Sequence, residues 1–220
     1  NSNHQYTAYD LKSVGWGTTA AGTWYTTITN DWFSGAYVWT GFDYIGEPTP
    51  YNNTTGNNGS SYPSSSYFGI IDTAGFPKDS YYLYQSQWNE NVNTLHVLPA
   101  WEAGSVKYVG GKVPVVVYSD AASVELFFTD VNGNRTSLGK KTFTEKTTAA
   151  GYKYQIYEGS DRNYENHKNL YLTWNVAYAD GTIEAVAYDK AGNVTSIKDG
   201  RGNITKMTYD ELGHVTSTTT

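Results

Sequence analysis

From about residue 93 onward the chain is a succession of short β-type runs, and this feature constrains the fold more than any other. LHVL (95–98), VPVVVY (113–118), SVELFF (123–128), YKYQIY (152–157), LYLTWNVAY (170–178) and TIEAVAY (182–188) follow one another, separated by turn residues. Strands this short and this frequent suit a β-sandwich of immunoglobulin-like type, here expected over residues 93–190. Within 123–128, Val124, Leu126 and Phe128 alternate with Ser123, Glu125 and Phe127. One face of that strand is therefore expected to be buried.

The region before it, residues 1–92, has a different texture. Trp24, Ile28 and Trp32 recur at helical spacing, and Tyr25 widens the stripe. A helix is predicted over 23–33, with Gly35 as its stop. GAYVWTGF (35–42) reads as an aromatic-rich strand. Helix, short connection and strand in that order suit a parallel sheet. Residues 52–66, NNTTGNNGSSYPSSS, are almost wholly Asn, Gly, Ser and Thr and are expected to form a surface loop. SYFGIID (66–72) reads as a short buried segment, followed by a turn at Gly75 and Pro77. Asp79 is expected to cap a helix over 80–90, on which Tyr81, Tyr84 and Trp88 share a face.

The last stretch, 191–220, carries a repeat. DKAGNVTS (189–196), DGRGNITK (199–206) and DELGHVTS (210–217) share Asp-x-x-Gly, a polar residue, Val or Ile, then Thr. DVNGNRTS (130–137) has the same form inside the sandwich. Asp starts such a turn and Gly supplies a positive φ. So few units cannot close a core, so the tail is expected to be loose unless a neighbour holds it.

Composition narrows the function classes. Aromatics make up 16% and charged residues only 16%, which suits a β-rich extracellular or cell-surface protein. The net charge of −6 argues against a nucleic-acid partner. Without Cys there is no disulfide framework, thiolate metal site or Cys nucleophile. No apolar run approaches the roughly 20 residues of a membrane helix, so no membrane insertion is expected. The opening residues, NSNHQYTAYD, resemble the middle of a protein, and the chain is expected to be a fragment or processed piece.

Two segments carry a specific resemblance: VWTGFDYIGEPTPY (38–51) and SSYFGIIDTAGFPKDSYYLYQSQW (65–88). They resemble the end of the catalytic barrel in glycoside hydrolase family 2, on the β-galactosidase side. WEAGSVKYVGGKVPVVVYSDAASVELFF, SLGKKTF and LYLTWNVAYADGTIEAVAYD are similar to the immunoglobulin-like domain that follows that barrel. The resemblance implies an α/β plus all-β chain: the C-terminal part of a (β/α)8 barrel, with its eighth strand near 36–42, then the sandwich. Residues 191–220 instead resemble an RHS/YD-repeat element.

Retaining glycosidases use two carboxyl groups about 5–5.5 Å apart, one as acid/base and one as nucleophile. In the family these are glutamates near the ends of strands four and seven, so neither is expected among these residues and no catalytic residue is assigned. The substrate-binding candidates are Trp39, Phe42 and Asp43, where the barrel's C-terminal strand ends face the active site. An indole offers a flat apolar surface to a sugar's C–H face, and the family's matching Trp lies against the sugar. The alternative for each is packing or structural hydrogen bonding. Asp43 and Glu47, four residues apart, superficially invite a dyad but are read instead as pocket-wall or structural groups hydrogen-bonded to backbone in the long loop. Tyr44 and Tyr51 are secondary ligand candidates, whereas Trp24, Trp32 and Trp88 are expected to pack. His4 is a candidate for the pocket rim. His96, His167 and His214 lack metal-ligand spacing, and no metal or cofactor is expected. The implied partners are a β-galactoside and the remainder of the barrel. A non-catalytic adhesion or carbohydrate-binding module is the other class compatible with the residues.

Overall fold

The computed structural model describes residues 9–10, 13, 17–45, 65–159 and 169–220. The elements run α1 (Ala20–Ile28), β1 (Tyr44–Ile45), β2 (Ser65–Ser66) and α2 (Asp79–Trp88). There follow β3 (Leu95–Leu98), β4 (Val113–Ser119), β5 (Ser123–Asp130), β6 (Arg135–Thr142), β7 (Thr144–Thr147) and β8 (Lys153–Ile156). The chain closes with β9 (Leu172–Val176), β10 (Gly181–Tyr188), β11 (Val194–Lys198), β12 (Ile204–Tyr209) and β13 (Val215–Thr219).

β4 explains the layering. Every residue along it is buried, so its continuous VPVVVYS run is apolar on both faces. It is the middle strand of a three-stranded antiparallel sheet, β3-β4-β9, with Val97 opposite Val117 and Val115 opposite Trp174. One face packs Leu95, Val115, Val117, Leu172 and Trp174 against Val124, Leu126, Ile183, Ala185 and Ala187 of the second sheet. There, small and large side chains sit opposite each other: Ala185 faces Leu126 and Ala187 faces Val124. The other face of β4, through Val116 and Tyr118, packs under Ala21 and Ile28 of α1 and Leu83 of α2. The result is three layers: helices, a three-stranded sheet and a larger sheet.

The larger sheet runs β13-β12-β11-β10-β5-β6. The repeat tail is therefore not loose: β11 pairs with β10, and the remaining tail strands follow as antiparallel hairpins. Each hairpin turn is built the same way. Asp130, Asp189, Asp199 and Asp210 each accept, at 2.8–2.9 Å, the backbone N–H four residues on. Glycines at 133, 192, 202 and 213 take φ between +84° and +93°. That left-handed conformation is the one Gly adopts without cost. The side chains of Asn134, Asn193 and Asn203 donate back to the same carboxylates, and His214 takes the Asn place in the last turn.

The helices differ from the periodicity in their limits. α1 starts earlier than 23 because Thr19 caps it, accepting from Gly22 N–H, while both Asp10 carboxylate oxygens accept from Ala20 and Ala21 at 2.9 Å. It stops at Ile28, leaving Trp32 beyond its end and 74% exposed, stacked on Phe33 rather than packed in a core. In α2, Asp79 is the first helical residue and Lys78 holds the cap position. Leu83 and Tyr84 are its buried residues, and Trp88 rests edge-on against Trp24.

Residues 35–42 do not form a regular strand. Strands exist by pairing, and among the described residues only 69–71 run beside this segment. Ile70 N–H donates to Thr40 O, Ile71 N–H to Gly41 O, and Asp43 N–H to Ile71 O, giving a single parallel bridge at Phe42 and Ile71. β6 and β7 are strands that the sequence reading left out. Both are polar and mostly exposed, so neither shows a buried stripe. Among the described residues no helix is long and apolar enough to cross a membrane.

Candidate functional site

Residues 39–43 include the segment bridged to 69–71, and their side chains divide between solvent and interior. Trp39 is 68% exposed and Phe42 59% exposed, whereas Asp43 is 8% exposed. The peptide between Trp39 and Thr40 is cis. Tyr37, Trp32 and Phe33 are also exposed, so the stretch from 32 to 42 presents aromatic surface. Chemically, an exposed indole and phenyl offer flat apolar surface of the kind that covers a sugar's C–H face.

Asp43 does something different. Its Oδ1 accepts Gly69 N–H at 2.8 Å and the Lys78 ammonium at 2.7 Å, and its Oδ2 lies 2.6 Å from the same ammonium. Lys78 reaches the carboxylate from the residue preceding α2, and its own N–H donates to Ile70 O at 2.8 Å. Asp43 thus joins three pieces of chain: the aromatic segment, the 67–71 segment and the start of α2. Gly69 is part of the same construction. A Cβ there would lie 2.1 Å from Asp43 N and 2.3 Å from Phe42 C, so only a residue without a side chain lets the two backbones approach this closely.

The sequence reading named Asp43 but missed Lys78 and Gly69. Lys78 carries no local signal, since its partner lies 35 residues away. Gly69 within an apolar run was a legible hint of close backbone approach. Tyr44 is half-buried in β1. Glu47, Tyr51, His4, His167 and the 52–64 stretch lie outside the described residues. Trp174 sits in the sandwich core with its indole N–H donating to Gly139 O, and Trp101 donates to Ala179 O. Among the described residues no group of three or more His, Cys, Asp or Glu side chains is gathered as a metal site requires.

A family model described as a domain of unknown function (DUF4982) matches residues 110–196, and the RHS Repeat model matches 188–220. The chain is 35% identical over 201 residues to beta-galactosidase BoGH2A of Bacteroides ovatus, an alignment covering 90% of this chain and 19% of that protein. The chain is a relative of the glycoside hydrolase family 2 enzymes. A Formosa agariphila protein provisionally named a beta-glucuronidase is also 35% identical, over 75% of this chain and 13% of its own length. In three dimensions the family 2 relative resembles a beta-glycosidase from Bacteroides vulgatus, with a TM-score of 0.57 at 30% identity, covering 87% of this chain and 19% of that one. The chain spans about a fifth or less of the length of these relatives. The aligned share of this chain takes in both the helical region and the sandwich.

Proposed function

We propose that residues 1–92 are the C-terminal part of a catalytic (β/α)8 barrel and 93–190 the immunoglobulin-like sandwich behind it, in a retaining β-galactosidase. Residues 191–220 are a YD-repeat-like addition to the sandwich. The observation that carries this reading is the 35% identity to a β-galactosidase over 90% of the chain. In it, Trp39 is a platform for the sugar ring and Phe42 a neighbouring wall, which their exposure supports. Asp43 shapes the pocket from behind by holding 40–43 against 69–71 through Lys78 and Gly69. The two catalytic glutamates lie on polypeptide outside these residues, and the partners are a terminal β-galactoside and the rest of the barrel. The chemistry needs no cofactor, because two carboxyl groups suffice for retention. An extracellular or cell-surface location is in keeping with few charges and abundant tyrosine.

The test is hydrolysis of an aryl β-galactoside and an aryl β-glucuronide by these 220 residues, alone and joined to the upstream polypeptide. The expected result is no turnover alone and galactoside-selective turnover when joined. Strong hydrolysis by the isolated chain, or selectivity for the glucuronide, overturns the reading. The continuous sheet from sandwich to repeat tail favours a second reading, a non-catalytic adhesion or carbohydrate-binding module. Glycan binding that is indifferent to Trp39 and retained by residues 94–220 distinguishes it.

A further inference from the structure

We propose that His96 is an acid-sensitive clamp fastening the repeat tail to helix α2, its imidazole bridging Asp79 on one side and Lys198 on the other. The three residues come from three parts of the chain: Asp79 from the first turn of α2, His96 from β3 and Lys198 from the end of β11. His96 Nε2 lies 2.6 Å from Asp79 Oδ1, and Nδ1 lies 3.3 Å from the Lys198 ammonium. The groups facing the imidazole, among the described residues, are Asp79 and Tyr82 from α2, Tyr118 from β4 and Lys198 from β11. Tyr82 stacks on the ring with centroids 3.9 Å apart and planes 7° apart, and Tyr118 lies parallel at 6.2 Å.

These partners admit one tautomer. An ammonium only donates, so Nδ1 must be a bare acceptor; a carboxylate only accepts, so the proton sits on Nε2. Neutral His96 therefore satisfies both neighbours. Protonation places a second N–H on Nδ1, pointing at an ammonium. Two donors and two positive charges then meet at a distance meant for a hydrogen bond, with one carboxylate to offset them. Lys198, at the end of its strand, is the member free to swing away, and its departure removes the side-chain tie between tail and helix.

The surroundings push in the same direction. Burial of His96, which lies beneath Tyr82, lowers its pKa; the Asp79 hydrogen bond and charge oppose this, and Lys198 adds to it. Burial also lowers the Lys198 pKa, with Asp79 opposing. Because the folded-state pKa of His96 lies below its unfolded value, the unfolded or detached state binds more protons between the two. The clamp's contribution is complete above the unfolded pKa and is lost as pH falls through that interval.

The test uses the intact polypeptide, with imidazole C2–H exchange and backbone amide exchange both read by mass spectrometry. In the wild type, His96 is expected to protonate below the ordinary histidine value. Amide protection in 194–198, corrected for intrinsic rates and compared with β5, is expected to fall about fivefold or more between about pH 7 and about pH 5. Lys198→Met is expected to raise the His96 pKa and flatten the acid loss of protection. Asp79→Asn, which keeps an acceptor for Nε2–H without the charge, is expected to lower the His96 pKa further. A wild-type His96 that titrates at or above the ordinary value overturns the clamp. So does a Lys198→Met variant whose β11 protection retains the wild-type pH dependence.

Discussion

Asp43 and Lys78, 35 residues apart in sequence, meet at 2.6 Å in a site where the carboxylate is nearly sealed from water. The pair sets the shape of the aromatic segment beside it. Removing Lys78 leaves a buried carboxylate with Gly69 N–H as its remaining partner among the described residues, whereas removing the charge of Asp43 leaves an ammonium that is already one-third exposed and can turn outward. Lys78→Ala is therefore expected to cost about 1–3 kcal/mol, and Asp43→Asn less, because the amide oxygen still accepts from Gly69. Denaturant unfolding, together with amide exchange across 40–45 and 67–71, checks the order. Equal costs for the two variants would contradict it.

Gly69→Ala is expected to separate the two backbones. A methyl group placed 2.1–2.6 Å from Asp43 N, Phe42 C and Ile71 O meets main chain, which cannot rotate away. Overpacking of this kind costs roughly 1–3 kcal/mol and sometimes more. The loss should be local: amide protection of Asp43 and Ile71 disappears while the sandwich strands keep theirs.

Trp39→Ala separates function from stability. The indole is 68% exposed, so its removal should leave the thermal midpoint nearly unchanged. If it covers a sugar ring in the complete enzyme, KM for an aryl β-galactoside should rise roughly tenfold, about 1.4 kcal/mol. Trp32→Ala, at a comparably exposed aromatic residue on the same stretch, is the control. An unchanged KM for Trp39→Ala would remove this residue from the substrate site.

Alkaline pH should loosen the helix layer. Burial and the Asp10 charge push the Tyr84 hydroxyl up to about 12 from an ordinary value of 10.0, and burial drives Tyr118 well above that value too. Both phenols hold their protons in the folded state after the unfolded chain has released them. The contribution of these phenols to stability is complete below pH 10.0 and declines as pH rises toward about 12. Tyr84→Phe should reduce the steepness of this decline without abolishing it, since Tyr118 remains. Circular dichroism against pH reads the difference.

Local chemistry accounts for what was legible in the sequence. The expected strands at 95–98, 113–118, 123–128 and 182–188 match β3, β4, β5 and β10 closely, because apolar runs and alternation are written into neighbouring residues. The Asp-x-x-Gly turns were legible for the same reason: each hydrogen bond closes within five residues. β6 escaped because an edge strand with exposed Lys and Ser needs no apolar stripe. At the candidate site, Trp39, Phe42 and Asp43 were named together, but their division into exposed rings and a buried anchor was not foreseeable.

The sequence alone determined the local grammar of this protein: short strands, tight Gly turns and two short helices. The apolar patterns and turn hydrogen bonds that announce them span a few residues. Tertiary structure decided that β4 is covered on both faces, that the tail joins the sandwich sheet through β10, and that Asp43 and His96 find cationic partners far along the chain. These outcomes require distant segments to be brought together. Nothing near Asp43 announces Lys78, and nothing near His96 announces Lys198. The energy that selects each partner exists only once burial has made an unpaired charge costly.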